Sequence, residues 1–406
     1  MNRQWIGNLL VFGAIGLGLL TGWSHIEFLN STATVVSDLF LRLLKLISLP
    51  IIFLAIASTI SGMTDFHEMK RMGRKVLTYT VGTTIVAASI ALALFLLINP
   101  AKDSVALGSG DGSAPAQGGS YASFLLNAIP SNVFQAFIDN NVIGIAFISF
   151  ALSISILFLP KTQKEFLHTL FSSLFGATLK MTGGILTLMP IAIWAFMTLL
   201  VRDLSQSYEH LNRLLLYLGC VVGANLIQGI VVLPLLLKFK KLSPWKSFRG
   251  MTPALTLAFL SKSSNATLPV TMRSVEKNLG VSQKVSSFTL PLCSVINMNG
   301  CAAFILTTVL FVSMINGVTF TGLDYVGWIF LATLAAIGNA GVPMGCFFLT
   351  SAFLIGMKIP LYMMGIILPF YTIIDMIETT LNVWSDGCVA MVVEKDLALA
   401  PALETA

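Results

Sequence analysis

Apolar runs near 6–24, 47–62, 77–98, 142–159, 181–201, 214–237 and 302–315 dominate the sequence. A helix rising about 1.5 Å per residue needs about 20 apolar residues to cross a ~30 Å hydrocarbon core, and most of these runs approach that length. With 56% hydrophobic and 10% charged residues, the 406-residue chain carries too little charge to cover a soluble domain. The first run lacks the basic cluster and the small-residue cleavage site of a signal peptide, so it is expected to be a retained span. The fold class that follows is an all-α integral membrane protein.

The net charge of +6 could suggest a nucleic-acid partner, but its placement points to a bilayer. Lys70, Arg71, Arg74 and Lys75 share one short loop, and Lys161 with Lys164 another. Lys238, Lys240, Lys241, Lys246 and Arg249 form a third group, and Arg273, Lys277 and Lys284 a fourth. Alternate loops hold few basic residues, namely Lys102, Arg202, Arg213 and Lys358. By the positive-inside rule the basic loops are cytoplasmic. Arg3 and Lys395 fall on the same side, so an even number of crossings and two cytoplasmic termini are expected, in a plasma (inner) membrane. No nucleic-acid partner is expected.

Cys220, Cys293, Cys301, Cys346 and Cys388 lie in apolar surroundings without CxxC spacing, so neither a zinc nor a redox motif is expected. Most of them are expected to be small packing residues. His25, His67, His168 and His210 are not grouped with acids. No Ser-His-Asp set, phosphate loop or metal-hydrolase motif occurs, which argues against an enzyme. Arg42, Lys45 and Lys180 are expected to snorkel, with Asp38 and Arg42 as an i,i+4 pair at a helix end.

The segment from Pro100 to Gly119, rich in Gly, Ser and Ala, reads as an external loop between three crossings and three more that end near Leu237. Beyond it, two apolar stretches near 244–274 and 326–356 are broken at their middles. The first break runs from Ser261 to Pro269 and the second from Ala336 to Pro343. Their halves are too short to cross alone, so each stretch is expected to enter and leave by one face. Such backbone survives at membrane depth only where protein or a water-filled cavity satisfies it. Each is followed by a long helix, expected over 285–314 and 360–393. The hairpin-plus-helix unit occurs twice from opposite sides, an inverted repeat of the kind that places a binding site at its interface.

On the last helix Asp375, Glu378, Thr379, Asn382 and Asp386 fall at i, i+3, i+4, i+7 and i+11, one face. Three carboxylates at membrane depth cost about 2.5–3.5 kcal/mol each on insertion scales. They call for cations: an amino group, a metal ion, protons or Lys262. The alternative is a structural ion-pair cluster, but a single nearby interior lysine does not balance three acids.

At these residues the chain resembles the dicarboxylate/amino acid:cation symporter family, which includes glutamate transporters and neutral amino-acid exchangers. The matching stretches are Asp38 through Lys45, Ser263 through Arg273, Ser287 through Leu292, Asn297 through Gly300, Gly341 through Pro343 and Asp375 through Asp386. The resemblance implies eight membrane helices, two re-entrant hairpins, a homotrimer and an elevator motion. It divides the chain into 1–240, mainly a scaffold and trimerisation region whose helices 3 and 6 join the transport core; 241–396, the core; and 397–406, a short cytoplasmic tail.

Carried over from that family, Asp375 holds the substrate amino group, with Asn382 beside it and Thr379 on the same face. Backbone at Ser263, Ser264, Gly341 and Val342 grips the α-carboxylate, a role suited to half-helix N-termini. Asp386 with carbonyls of Asn297 and Asn382 resembles one sodium site, and carbonyls near Ala336, Ile337 and Asn339 a second. Thr83 and Thr84 match hydroxyl ligands of a third. No cofactor is implied beyond sodium as coupling ion.

Four departures bear on the substrate and its coupling ions. Carriers of acidic amino acids have an arginine on the last helix where this chain has Glu378, and a threonine where it has Cys301. The reversed charge disfavours an acidic side chain, unless Lys262 supplies the cation. Asn299 stands where the family has an aspartate, and Thr80 at a tyrosine position, so one sodium is expected to be lost or replaced. Since burial favours the neutral carboxyl, Glu378 is the candidate for proton uptake in its place. The expected function is symport of a small amino acid, neutral favoured over cationic. An acidic amino-acid or dicarboxylate symporter is the rival, and an anion channel or substrate sensor on the same core is the alternative of another class.

Overall fold

The computed structural model describes residues 3–24, 26–62, 70–102, 130–138, 142–204, 208–337, 339 and 344–398. Every regular element among them is helical. The N-terminal part comprises α1 (Arg3–Trp23), α2 (Glu27–Ser61), α3 (Lys70–Ile98), α4 (Val133–Ile138), α5 (Val142–Leu157), α6 (Lys161–Leu186) and α7 (Met189–Leu204). Next comes α8 (Tyr208–Ile227), which passes through a π-helical turn at Gln228–Val232 into α9 (Leu233–Phe239). The C-terminal part comprises α10 (Pro244–Ser261), α11 (Ser264–Leu279), α12 (Gln283–Ile296), α13 (Asn299–Ile315), α14 (Gly322–Ile337), α15 (Gly345–Gly356) and α16 (Tyr362–Ala398).

Among the described residues four stretches are long and apolar enough to cross a membrane: Met72–Ile98, Asn212–Phe239, Gln283–Ile315 and Tyr362–Leu397. Large apolar side chains such as Leu20, Leu97, Phe158, Ile230 and Phe239 lie bare on the outside, as lipid-facing residues must. The run expected over 181–201 is not one straight span. It divides between α6 and α7, which meet at 49°. The bend follows Gly183 and Gly184, where Thr187 closes the helix by turning its hydroxyl onto the Gly184 carbonyl at 2.6 Å. The apolar run at 47–62 is only the second half of α2, whose Pro50 sits inside the helix. Asp38 and Arg42 therefore lie in a helix interior on exposed positions, not at an end. Lys180 is exposed on α6; the side chain of Lys45 and the residues His25 and His67 lie outside the described set.

The break expected at 261–269 is confined to two residues. Lys262 adopts a left-handed conformation at φ 54° and Ser263 an extended one, after which the Ser263 hydroxyl caps α11 by accepting from Ala266 N at 3.2 Å. Chain direction then reverses: Asn278 Nδ2, near the end of α11, donates to the Gly250 carbonyl, near the start of α10, at 2.8 Å. The two helices pack side by side and both lie against α16. α14 and α15 frame the second break and pack on α13.

The long helix expected over 285–314 is interrupted. Asn297 and Met298 leave the helical region, at φ −100°, ψ 66° and φ −106°, ψ 65°, and separate α12 from α13. The buried apolar side chains fall into two main clusters. One holds α13, α14, α15 and the first half of α16 to Ile374. The other holds α10, α11, α12 and the second half of α16 from Leu381. The interruption in α12–α13 and the acidic stretch of α16 both fall at the seam, where polar side chains meet each other rather than hydrocarbon.

Candidate substrate and cation site

Asp375, Glu378, Thr379, Asn382 and Asp386 are all buried, at 9%, 1%, 6%, 3% and 3% exposure, so the acidic face of α16 points into protein and not toward lipid. Opposite lies the Asn297–Cys301 segment. Asn297 Nδ2 donates to Asp386 Oδ1 at 2.9 Å, and its Oδ1 accepts from Asn299 Nδ2 at 3.0 Å, Ser385 Oγ at 3.3 Å and Thr83 Oγ1 at 3.4 Å. Asn382 Oδ1 accepts from Gly300 N at 2.9 Å, and its amide group lies 3.5 Å from Cys301 Sγ. A side chain on Gly300 would put Cβ 2.8 Å from Asn225 Oδ1 and 2.9 Å from Glu378 Cα, so glycine there is what lets the two segments approach.

The Asn297 cluster brings together Thr83, Asn297, Asn299 and Asp386, four of the residues expected at cation sites. Thr84 differs: its hydroxyl turns onto the Thr80 carbonyl of its own helix at 2.7 Å. Asn299 is tied on both sides, donating to Ser385 Oγ at 2.7 Å and accepting from Gln228 Nε2 at 3.1 Å. Gln228 opens the π-helical turn, and the widened turn also presents the Gly229 carbonyl to Trp384 Nε1 at 3.1 Å. Such single π turns often mark functional positions.

Ser264 is buried and Ser263 half-buried at the tip of the first hairpin, with Lys262 between α10 and α11. Asn339 N donates to the Ala336 carbonyl at 3.1 Å, and Ala336 is buried while Ile337 is half-buried. Gly341 and Val342, expected to grip a carboxylate, lie outside the described residues.

Glu378 receives Tyr371 Oη at 3.5 Å on one oxygen, while Oε1 is buried without a partner. Its carboxylate, Cys301 Sγ and Cys346 Sγ all lie within 4.8 Å of one another. Cys301 and Cys346 form a disulfide between α13 and α15. The expectation of small packing cysteines fits Cys220, Cys293 and Cys388, which are free and buried, but not this pair. CxxC spacing says nothing about two cysteines brought together by tertiary packing.

A sequence profile of the sodium:dicarboxylate symporter family matches residues 8–396. The chain belongs to the sodium:dicarboxylate symporter family. Family members are transporters, so the chain is a multi-pass membrane transport protein and not an enzyme. It is similar to the human neutral amino acid transporter A, 25% identical with 95% of this chain and 81% of the relative covered. It is similar to the mouse neutral amino acid transporter B(0), at 27% identity over 86% of this chain and 72% of the relative. A putative sodium-dependent excitatory amino acid transporter of Caenorhabditis elegans matches at 25% over 94% of this chain and 87% of the relative.

Within this family member, Gln228, Asn225, Ser385, Tyr371 and Cys346 pack into this cluster and were not among the residues expected there. Gln228 and Asn225 had a readable signal, since both are amides inside the apolar run 214–237. Cys346 had none.

Proposed function

We propose that the chain is a sodium-coupled secondary symporter for a small amino acid, with neutral side chains favoured over cationic ones. Asp375 takes the substrate amino group, with Asn382 and Thr379 beside it. The hairpin tips, Ser263 and Ser264 on one side and Gly341 and Val342 on the other, take the α-carboxylate. Glu378 and Cys301 line the side-chain end.

The observation that carries the substrate reading is Glu378, wholly buried beside Cys301 where an acidic side chain would need a cation. A desolvated substrate carboxylate would meet a like charge or a neutral acid there, never a fork of donors. The names of the neutral amino acid relatives support the same choice.

Sodium is the coupling ion, held by Asp386 with Asn297 and Asn382, by the Ala336–Asn339 backbone, and by Thr83, Thr84 and Asn299. Oxygen donors suit such a hard cation. Glu378 adds a proton-coupling position. The eight-helix, two-hairpin arrangement, the homotrimer, the elevator motion of 241–396 against a 1–240 scaffold, the inner-membrane location and the cytoplasmic termini complete the reading. Unneutralised acids hold the second hairpin open, and the cation shifts that equilibrium toward closure by binding the closed state better.

An acidic amino-acid substrate is the second reading. It is favoured by Lys262, a half-buried cation at the tip of the first hairpin, and by the name of the excitatory relative. Binding of a panel of neutral, cationic and acidic amino acids to the purified protein, with and without sodium, separates the two. Sodium-dependent binding of serine-like substrates that aspartate does not compete for is the expected result; the reverse order overturns the first reading.

A further inference from the structure

Cys301 lies in the first turn of α13, Cys346 in the first turn of α15 and Glu378 midway along α16. All three are buried, at 3%, 1% and 1% exposure, and the Cα atoms of the two cysteines are 5.4 Å apart. A fourth group sits over the pair. Asn339 Nδ2 is 3.0 Å from Cys301 Sγ and 3.3 Å from Cys346 Sγ. Two polar atoms at this spot are buried without a hydrogen-bond partner, Glu378 Oε1 and Asn339 Oδ1. Leaving such atoms unpaired costs about 1–3 kcal/mol each; a Glu378 carboxylate oxygen stands within 4.8 Å of both sulfurs, while Asn339 faces them through its amide nitrogen. A cation satisfies both at once, the Asn339 amide turning its oxygen inward.

We propose that, in its reduced form, the Cys301–Cys346 pair makes with Glu378 and Asn339 a binding site for a soft d10 dication of the zinc and cadmium class. Two sulfurs, a carboxylate oxygen and an amide oxygen form the four-coordinate set such ions take. Sodium, which prefers oxygen donors alone, is not suited to it. Opening the disulfide takes two electrons, either from a dithiol that gives up its two protons and becomes a disulfide, or from a phosphine that becomes its oxide while water supplies the oxygen and the two protons; two thiols are left. The metal then displaces both thiol protons to solvent and binds the thiolates. An ion so held joins α13, α15 and α16 and pins the second hairpin to the last helix. That it then blocks amino-acid uptake rests on the transport reading above; the site itself does not.

The test uses the whole purified protein, reduced with a phosphine and with all five thiols counted by mass spectrometry before cadmium is titrated in. The expected result is an ultraviolet sulfur-to-cadmium charge-transfer band that saturates at one equivalent. It is lost in the Cys301→Ser, Cys346→Ser double variant, although Cys220, Cys293 and Cys388 remain. Glu378→Gln weakens the affinity about tenfold or more. X-ray absorption of zinc-loaded wild type, which needs no variant to fold, shows sulfur neighbours at about 2.3 Å. A band of equal strength in the double variant, or a zinc shell of oxygen and nitrogen alone, overturns the proposal whatever the protein transports.

Discussion

Asn297 Nδ2 donates to Asp386 Oδ1 across 2.9 Å and so fastens the interruption between α12 and α13 to the last helix. Neither group meets solvent, with Asn297 at 0% and Asp386 at 3% exposure. The bond therefore holds an unwound backbone beside a buried carboxylate, which is the chemistry a small hard cation requires. Asp386→Asn keeps the size and removes the charge. A hydrogen bond or ion contact to a charged group is worth about 1.5–3 kcal/mol, so the sodium concentration for half-maximal uptake should rise about 10- to 100-fold. Uptake measured against a sodium titration checks this.

Gly300 is a packing requirement. Its missing side chain leaves room for Asn225 and for the α16 backbone at Glu378, the latter 2.9 Å from where a Cβ would stand. Backbone cannot retreat as a flexible side chain can, so Gly300→Ala should overpack the seam. The expected cost is about 1–3 kcal/mol, read as a lower thermal midpoint in detergent together with a loss of amino-acid binding. Gly73→Ala, whose Cβ would meet only Phe288 at 3.7 Å, is the matched control and should leave both unchanged.

Glu378 carries the proton-coupling reading. At a fixed sodium gradient, an outside-acid pH gradient should speed uptake by the wild type, because a proton is bound outside and released inside. Glu378→Gln cannot exchange that proton and should be indifferent to the pH gradient. Proteoliposome uptake with the two gradients imposed separately checks it, and equal pH responses of the two proteins would remove Glu378 from the coupling.

At the C-terminal end of α16, Asp396 gathers a charged network. Asp396 accepts Lys240 Nζ at 2.9 and 3.0 Å and Tyr79 Oη at 2.5 Å, with Lys75 at 3.6 Å. Asp396→Asn should lower the thermal midpoint through loss of about 1 kcal/mol, the scale of a partly exposed charged network. It should leave substrate affinity unaltered, which separates this latch from the site.

Much of this arrangement was legible in the sequence, and the limits have physical reasons. Helices follow from apolar runs because hydrocarbon leaves the backbone few other options. The first hairpin break was visible in the polar cluster from Ser261 to Asn265, which competes for backbone hydrogen bonds. The interruption at Asn297 and Met298 was hidden, because one asparagine beside a methionine is no strong helix breaker; the Asp386 contact stabilises it from 89 residues away. The acidic face of α16 could be drawn from spacing alone. The Cys301–Cys346 contact, 45 residues apart, is decided by how α15 settles on α13, and periodicity carries no information about that.

The buried acids of α16 exist, on this account, to receive the amino group and its driving ions, and Asp375 stands at the centre of that claim. Labelled serine taken up into proteoliposomes under an inward sodium gradient tests it most directly, wild type beside Asp375→Asn. The account predicts accumulation above the external concentration that collapses with the sodium gradient and is absent in the variant. Accumulation indifferent to sodium, or undiminished by Asp375→Asn, would contradict it.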